Sequence, residues 1–163
     1  MFSADLLARA ENLLATARAG GVRIATAESC TGGLIAALLT EIPGSSDVFG
    51  RGFVTYSNKA KEDMLGVAAG LLRQHGAVSE AVARVMAEGA IRNSTAQLSV
   101  AVTGIAGPDG GSDEKPVGLV HIAVARAGEP TLHRECRFGD IGRSKVRLAS
   151  VEAALEMLEQ LVK

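Results

Sequence analysis

A chain of 163 residues is the size of one ordinary domain, and 47% hydrophobic residues are enough to build one core. With 17 basic and 18 acidic residues the net charge is -1, and one Tyr, four Phe and no Trp leave few rings for stacking. That balance argues against nucleic-acid binding, and no apolar run nears the roughly 20 residues a bilayer span needs.

Leu6, Leu7, Ala10, Leu13, Leu14 and Ala17 recur at helical spacing, and Gly20-Gly21 ends that helix. The segment carries acidic residues and lacks a basic stretch followed by a continuous apolar run, so it does not read as a signal peptide. Cys30 and Cys136 are the only cysteines, fewer than a disulfide scaffold uses. A cytoplasmic protein is expected.

Val22 to Ala27 reads as a short buried strand, and Thr31 to Thr40 as a second helix that Pro43-Gly-Ser-Ser46 breaks. Gly52 to Ser57 reads as a second strand, parallel to the first through a right-handed crossover. Short helical pieces follow through Gln74, with His75 in a loop. Ser79 caps a helix that places Val82, Val85, Met86 and Ala90 on one face.

Leu98 to Thr103 is a third strand, followed by the glycine-rich loop Gly104 to Gly111. Val117 to Ala125 and Thr131 to Phe138 are joined by too short a link for a parallel crossover, so they form a hairpin. The last helix carries Leu148, Val151, Leu155, Leu158 and Val162 on one stripe. The expected architecture is a single α/β domain over residues 1–163: three α/β/α layers around a mixed five-stranded sheet.

In such sheets sites gather at the carboxyl ends of the parallel strands. Three polar segments meet there: Glu28-Ser-Cys-Thr31, Tyr56-Ser-Asn-Lys-Ala-Lys61, and Thr103 with the glycine loop. Ser29 stands between a strand and a helix start, where free backbone N–H groups favour negative charge. Gly32 and Gly33 allow close backbone approach, although Ser29 or Thr31 would also serve as a plain helix cap.

A serine nucleophile needs a base. His75, His121 and His133 are poorly placed for it, and no pair of them has metal-ligand spacing. Lysine is the other option, because burial and a positive dipole lower an amine's pKa. Lys59 and Lys61 both follow the second strand, and Tyr56 can hydrogen-bond substrate or lysine. Cys30 is a rival nucleophile without a histidine partner and is favoured less than Ser29. The glycine loop matches neither a Walker loop nor a dinucleotide fingerprint, but it suits a backbone cradle. Arg143, Lys145 and Arg147 open the last helix against its dipole, as an anion site would require; a solvated basic face is the alternative.

The segments "TAESCTGG", "GSSDVFGRGFVTYSNKAK", "GAVSE" and "TGIAGPDGGSDEKPVG" resemble the CinA carboxy-terminal domain family, in order and along essentially the whole chain. Stand-alone members of that family are nicotinamide-nucleotide amidohydrolases. The resemblance implies hydrolysis of the carboxamide of nicotinamide mononucleotide to nicotinate mononucleotide and ammonia, in pyridine-nucleotide salvage, without cofactor or metal. It implies Ser29 as nucleophile, Lys61 as base and Tyr56 as a further catalytic residue. Thr31, Gly32, Gly33, Thr103, Gly104 and an arginine of the last helix are then substrate contacts, with Arg143 and Arg147 both open. A non-catalytic nucleotide-binding module is the alternative, and a Cys30-dependent hydrolase a weaker one. The expected partner is the small-molecule substrate, not nucleic acid or membrane; a homodimer is compatible and unspecified.

Overall fold

A computed structural model describes all 163 residues. The elements run α1 (Ala4–Ala19), β1 (Ile24–Glu28), α2 (Leu34–Thr40), β2 (Phe49–Val54), α3 (Asn58–Leu65), α4 (Ala69–His75), α5 (Glu80–Arg92), β3 (Leu98–Gly104), β4 (Leu119–Arg126), β5 (Leu132–Arg137) and α6 (Arg143–Leu161). The sheet order is β2-β1-β3-β4-β5. β2, β1 and β3 are parallel, and β3, β4 and β5 are antiparallel. This is the mixed five-stranded sheet expected from the sequence.

The central strands alternate between two cores. Val100, Val102, Val120 and Ile122 join the α1, α2 and α6 side in a cluster of 26 buried residues. Ala101, Ala123 and Ala125 join the α5 side in a cluster of 15. The second face is lined by small side chains because α5 lies close on it. β1, buried at all five positions, has helices on both faces, and even its polar residues Thr26 and Glu28 are fully buried.

β1, β4 and β5 are each displaced or trimmed by one or two residues from expectation, and three other boundaries differ in ways that bear on the site. β2 runs Phe49–Val54 rather than Gly52 to Ser57. It is an edge strand, and Gly50, Arg51 and Gly52 are exposed on it, so no apolar alternation marks it. His75 closes α4 rather than lying in a loop. Most consequential for the site, α2 starts at Leu34 and not at Thr31. Gly32 (φ 57°) and Gly33 (φ 99°) take left-handed backbone, which ends the extended run and delays the helix by a turn. Neither Ser29 nor Thr31 is therefore a helix cap.

Candidate active site

The turn carrying Ser29 is held from both sides. Glu28, the last residue of β1, is fully buried, and its carboxylate accepts the N–H groups of Ile35 (2.9 Å) and Ala36 (3.0 Å). A carboxylate thus caps α2 from inside the sheet and satisfies two of its free N–H groups. From the other side, α6 contributes Arg147, which donates from Nε to Cys30 O (3.1 Å) and from Nη2 to Thr31 O (3.0 Å). Ser29 is half-buried between these two anchors, and its own N–H donates to Val102 O on β3.

Lys61 reaches the serine from α3. Ser57, not Asn58, is the N-cap of α3: its Oγ accepts the Ala60 N–H at 3.1 Å. The helical geometry separates Lys59 from Lys61 by about 200° around the axis. Lys59 faces solvent and pairs with Asp63 at 2.9 Å. Lys61 turns inward, is 2% exposed, and places Nζ 3.0 Å from Ser29 Oγ. The same Nζ donates to Thr55 O at 2.8 Å. Burial pushes the Lys61 pKa below its ordinary value, while the neighbouring Cys30 opposes the shift. No carboxylate pairs with Lys61, in contrast to Lys59.

α3 can approach this closely because of Gly89 in α5. A Cβ there would stand 2.1 Å from Leu65 O, at the carboxyl end of α3. Only glycine accommodates that contact.

A cavity of about 310 Å³ opens beside the pair. Ser29, Tyr56, Lys61, Thr103, Gly104 and Arg143 all line it, with Cys30, Asn58, Asp109 and the backbone around Ala77 and Ala106. Thr103 Oγ1 donates to Ala77 O at 2.8 Å, tying β3 to the segment before α5. Arg143 crosses the mouth, donating from Nη1 to Gly107 O (2.9 Å) and from Nη2 to Tyr56 Oη (2.7 Å). Tyr56 is largely exposed, and its hydroxyl meets Arg143 rather than Lys61. The N–H groups of Cys30, Ala106 and Gly107 make no intrachain hydrogen bond and remain available to a ligand.

Thr31, Gly32, Gly33 and Arg147 lie outside the cavity lining. Thr31 is fully buried, and Arg147 is occupied by the two turn carbonyls. The two arginines left open by the sequence therefore stand in different places. Cys30 is buried, which raises its thiol pKa to about 11 and keeps it protonated at neutral pH. His121 and His133 bond each other at 2.9 Å across the β4–β5 hairpin, away from the cavity. No cluster of three His, Cys, Asp or Glu side chains is placed to hold a metal ion.

Glu28, Asn58 and Asp109 lie in the three polar segments the sequence brings to the site, but no role was assigned to them, and Gly89 was not picked out at all. A signal existed for Glu28: it is a carboxylate closing a buried strand, six positions before a helical run that offers no polar cap of its own.

The geometry so far defines a three-layer α/β domain with a serine–lysine pair at the carboxyl ends of its parallel strands. Comparison with known proteins places it more narrowly. Residues 7–162 match the model of the CinA C-terminal domain. The chain belongs to that family. It is 50% identical over 161 residues to the Escherichia coli K12 protein named nicotinamide-nucleotide amidohydrolase PncC, covering 98% of this chain and 96% of that one. A CinA-like protein of Syntrophobacter fumaroxidans is 52% identical over 86% of this chain, which spans 33% of that longer protein. Among solved structures, the competence/damage inducible protein CihA of Agrobacterium tumefaciens superposes with a TM-score of 0.98 at 55% identity, covering 100% of this chain and 99% of that one. A CinA superfamily protein of Escherichia coli superposes with a TM-score of 0.91 at 35% identity over 99% and 94%.

Proposed function

We propose that this protein hydrolyses the carboxamide of nicotinamide mononucleotide to nicotinate mononucleotide and ammonia, with Ser29 as nucleophile and Lys61 as general base. The observation that carries the reading is the 3.0 Å approach of Lys61 Nζ to Ser29 Oγ, with the Lys61 side chain buried and paired with no carboxylate. The similarity to the amidohydrolase named above supports the substrate class.

In the neutral amine one N–H donates to Thr55 O, which leaves the nitrogen lone pair free for the Ser29 hydroxyl proton. As that proton moves to Lys61, Ser29 Oγ forms a bond to the carboxamide carbon. The carbonyl oxygen becomes an oxyanion. The N–H groups of Cys30, Ala106 and Gly107, unbonded in residues that line the cavity, are the donors we assign to it. Glu28 occupies the Ile35 and Ala36 N–H groups, so the helix start itself does not serve as an oxyanion hole. Lys61 then returns the proton to the departing nitrogen, and the C–N bond breaks to release ammonia. Water, deprotonated by Lys61, hydrolyses the acyl ester and regenerates Ser29. Arg143 at the cavity mouth is the cation placed to meet the substrate's phosphate.

Ammonia release from nicotinamide mononucleotide is the direct test. The wild-type protein releases ammonia, Ser29→Ala does not, and Cys30→Ala retains most activity. Nucleotide binding without ammonia release by the wild type would instead make the chain a binding module. A dead but folded Cys30→Ala beside an active Ser29→Ala would transfer the nucleophile to the thiol. Activity is also expected to survive prolonged EDTA treatment; recovery of a chelated, inactive enzyme by zinc or magnesium would reject the Ser–Lys scheme.

A further inference from the structure

At the opposite ends of the parallel strands lies a second concavity, of about 290 Å³, between the starts of β1 and β2 and the segment leading into β3. Ile24 to Glu28 separates it from the Ser29 turn by about 13 Å along β1. It is lined by Arg23, Arg51 and Arg92 together with Asn93, Ser94 and Thr95, and no acidic residue lines it. Of the nine other arginines, Arg9, Arg18, Arg84, Arg126, Arg134 and Arg137 sit in ion pairs, and Arg73, Arg143 and Arg147 do not. Arg23, Arg51 and Arg92 sit in none.

Local structure accounts for only part of this grouping. Arg51 donates from Nη1 to Asn93 O, and Arg92 donates from Nη2 to Leu65 O. Each guanidinium has five donors, so each keeps most of them free. The Arg23 side chain makes no intrachain hydrogen bond at all, so carbonyl capping does not explain it. The Thr95 N–H is also unbonded. Three like charges around one hollow repel each other, and in a protein of net charge -1 nothing in the overall balance forces them together.

We propose that this concavity is a second ligand site, separate from the Ser29 cavity, that takes a phosphate-bearing small anion with more than one negative oxygen cluster, of the diphosphate type. Planar guanidinium forks match phosphate oxygens in pairs. Three of them suit a multiply charged group better than a single carboxylate. The hollow has no aromatic ring, so recognition rests on charge and not on a base or a nicotinamide ring.

Inorganic pyrophosphate is the probe, with orthophosphate beside it, followed through the backbone amide signals of the intact protein. Pyrophosphate should move the Ser94 and Thr95 signals with a Kd at or below about 1 mM at low salt. Orthophosphate should bind more weakly, and added salt should weaken both. Arg23→Ala, whose side chain supports no internal bond, should raise the pyrophosphate Kd roughly tenfold. The double variant Arg51→Ala/Arg92→Ala should abolish the shifts, and amide hydrolysis at Ser29 should be unchanged in all of these variants. No response at Ser94 and Thr95, a response confined to the loop from Gly104 to Gly111, or an unaltered Kd in Arg23→Ala would each overturn the proposal.

Discussion

Lys61 shows how one side chain's surroundings decide its chemistry. Lys59 lies two positions away with the same charge in water. It stays in solvent beside Asp63, whose carboxylate raises its pKa. Lys61 loses that solvent and gains only a hydroxyl and a carbonyl, and burial lowers its pKa. An amine with a lowered pKa is neutral above that value, so the fraction of active base grows as pH rises through it. The rate of ammonia release should therefore climb with pH along a limb whose midpoint lies below the ordinary lysine value of 10.5. Lys61→Ala should reduce kcat by about three orders of magnitude or more, within the range positioned proton transfer supplies. Lys61→Arg should fail as well, because a guanidinium stays charged. Lys59→Ala should stay near wild type. A near-normal kcat for Lys61→Arg would sink the general-base role. This contrast was partly legible in the sequence: the helical period separates the two lysines, and the resemblance picked Lys61. The capping residue was not legible, because both Ser57 and Asn58 suit a cap and only the backbone shows which of them is extended.

Among the elements, α2 and α6 share the work of holding the nucleophile turn. The Glu28 carboxylate fixes the start of α2, and Arg147 fixes the turn carbonyls from α6. Sequence reasoning placed the α2 start three residues early, which hid both contacts. It took Ser29 and Thr31 for capping candidates, whereas the cap comes from a residue inside the strand. Arg143 lies one helical turn before Arg147 and reaches the cavity mouth. Their substitutions should therefore diverge. Arg143→Ala should raise KM for nicotinamide mononucleotide with kcat little changed, roughly tenfold for one lost charge-assisted contact. Arg147→Ala should lower kcat through a loosened Ser29, with a smaller effect on KM. Glu28→Ala should leave the Ile35 and Ala36 N–H groups unsatisfied, at a cost of about 3 kcal/mol in folding stability. Steady-state kinetics and urea melts of the three variants separate these roles. Identical kinetic profiles for Arg143→Ala and Arg147→Ala would contradict the division of labour.

Across the whole molecule, the site is assembled from both faces of one sheet. Lys61 comes from the side packed on α5, where Gly89 sets the approach of α3. Arg143 and Arg147 come from α6 on the opposite side. Ser29 and Thr103 sit at the strand ends between them. The class of fold was legible because β1, β3 and β4 are apolar runs bounded by glycine and polar breaks. The bounds of the edge strand β2 and the close contact at Gly89 were not, because exposure removes the alternation from one and a single helical glycine does not announce its neighbour. This arrangement predicts how function is lost on unfolding. The two cores of 26 and 15 residues meet through the same strands, so neither layer can detach without exposing strand residues that the other layer also needs. Activity should consequently disappear in one cooperative step together with the fold. In urea, the midpoint for ammonia release should coincide with the midpoint for loss of helical circular dichroism. Gly89→Ala, which forces α3 away from α5, should shift both midpoints down together and also lower kcat at zero denaturant by moving Lys61 from Ser29. Loss of activity at a clearly lower urea concentration than loss of helix would show that the α3 layer opens independently, and that the two cores are not one cooperative unit.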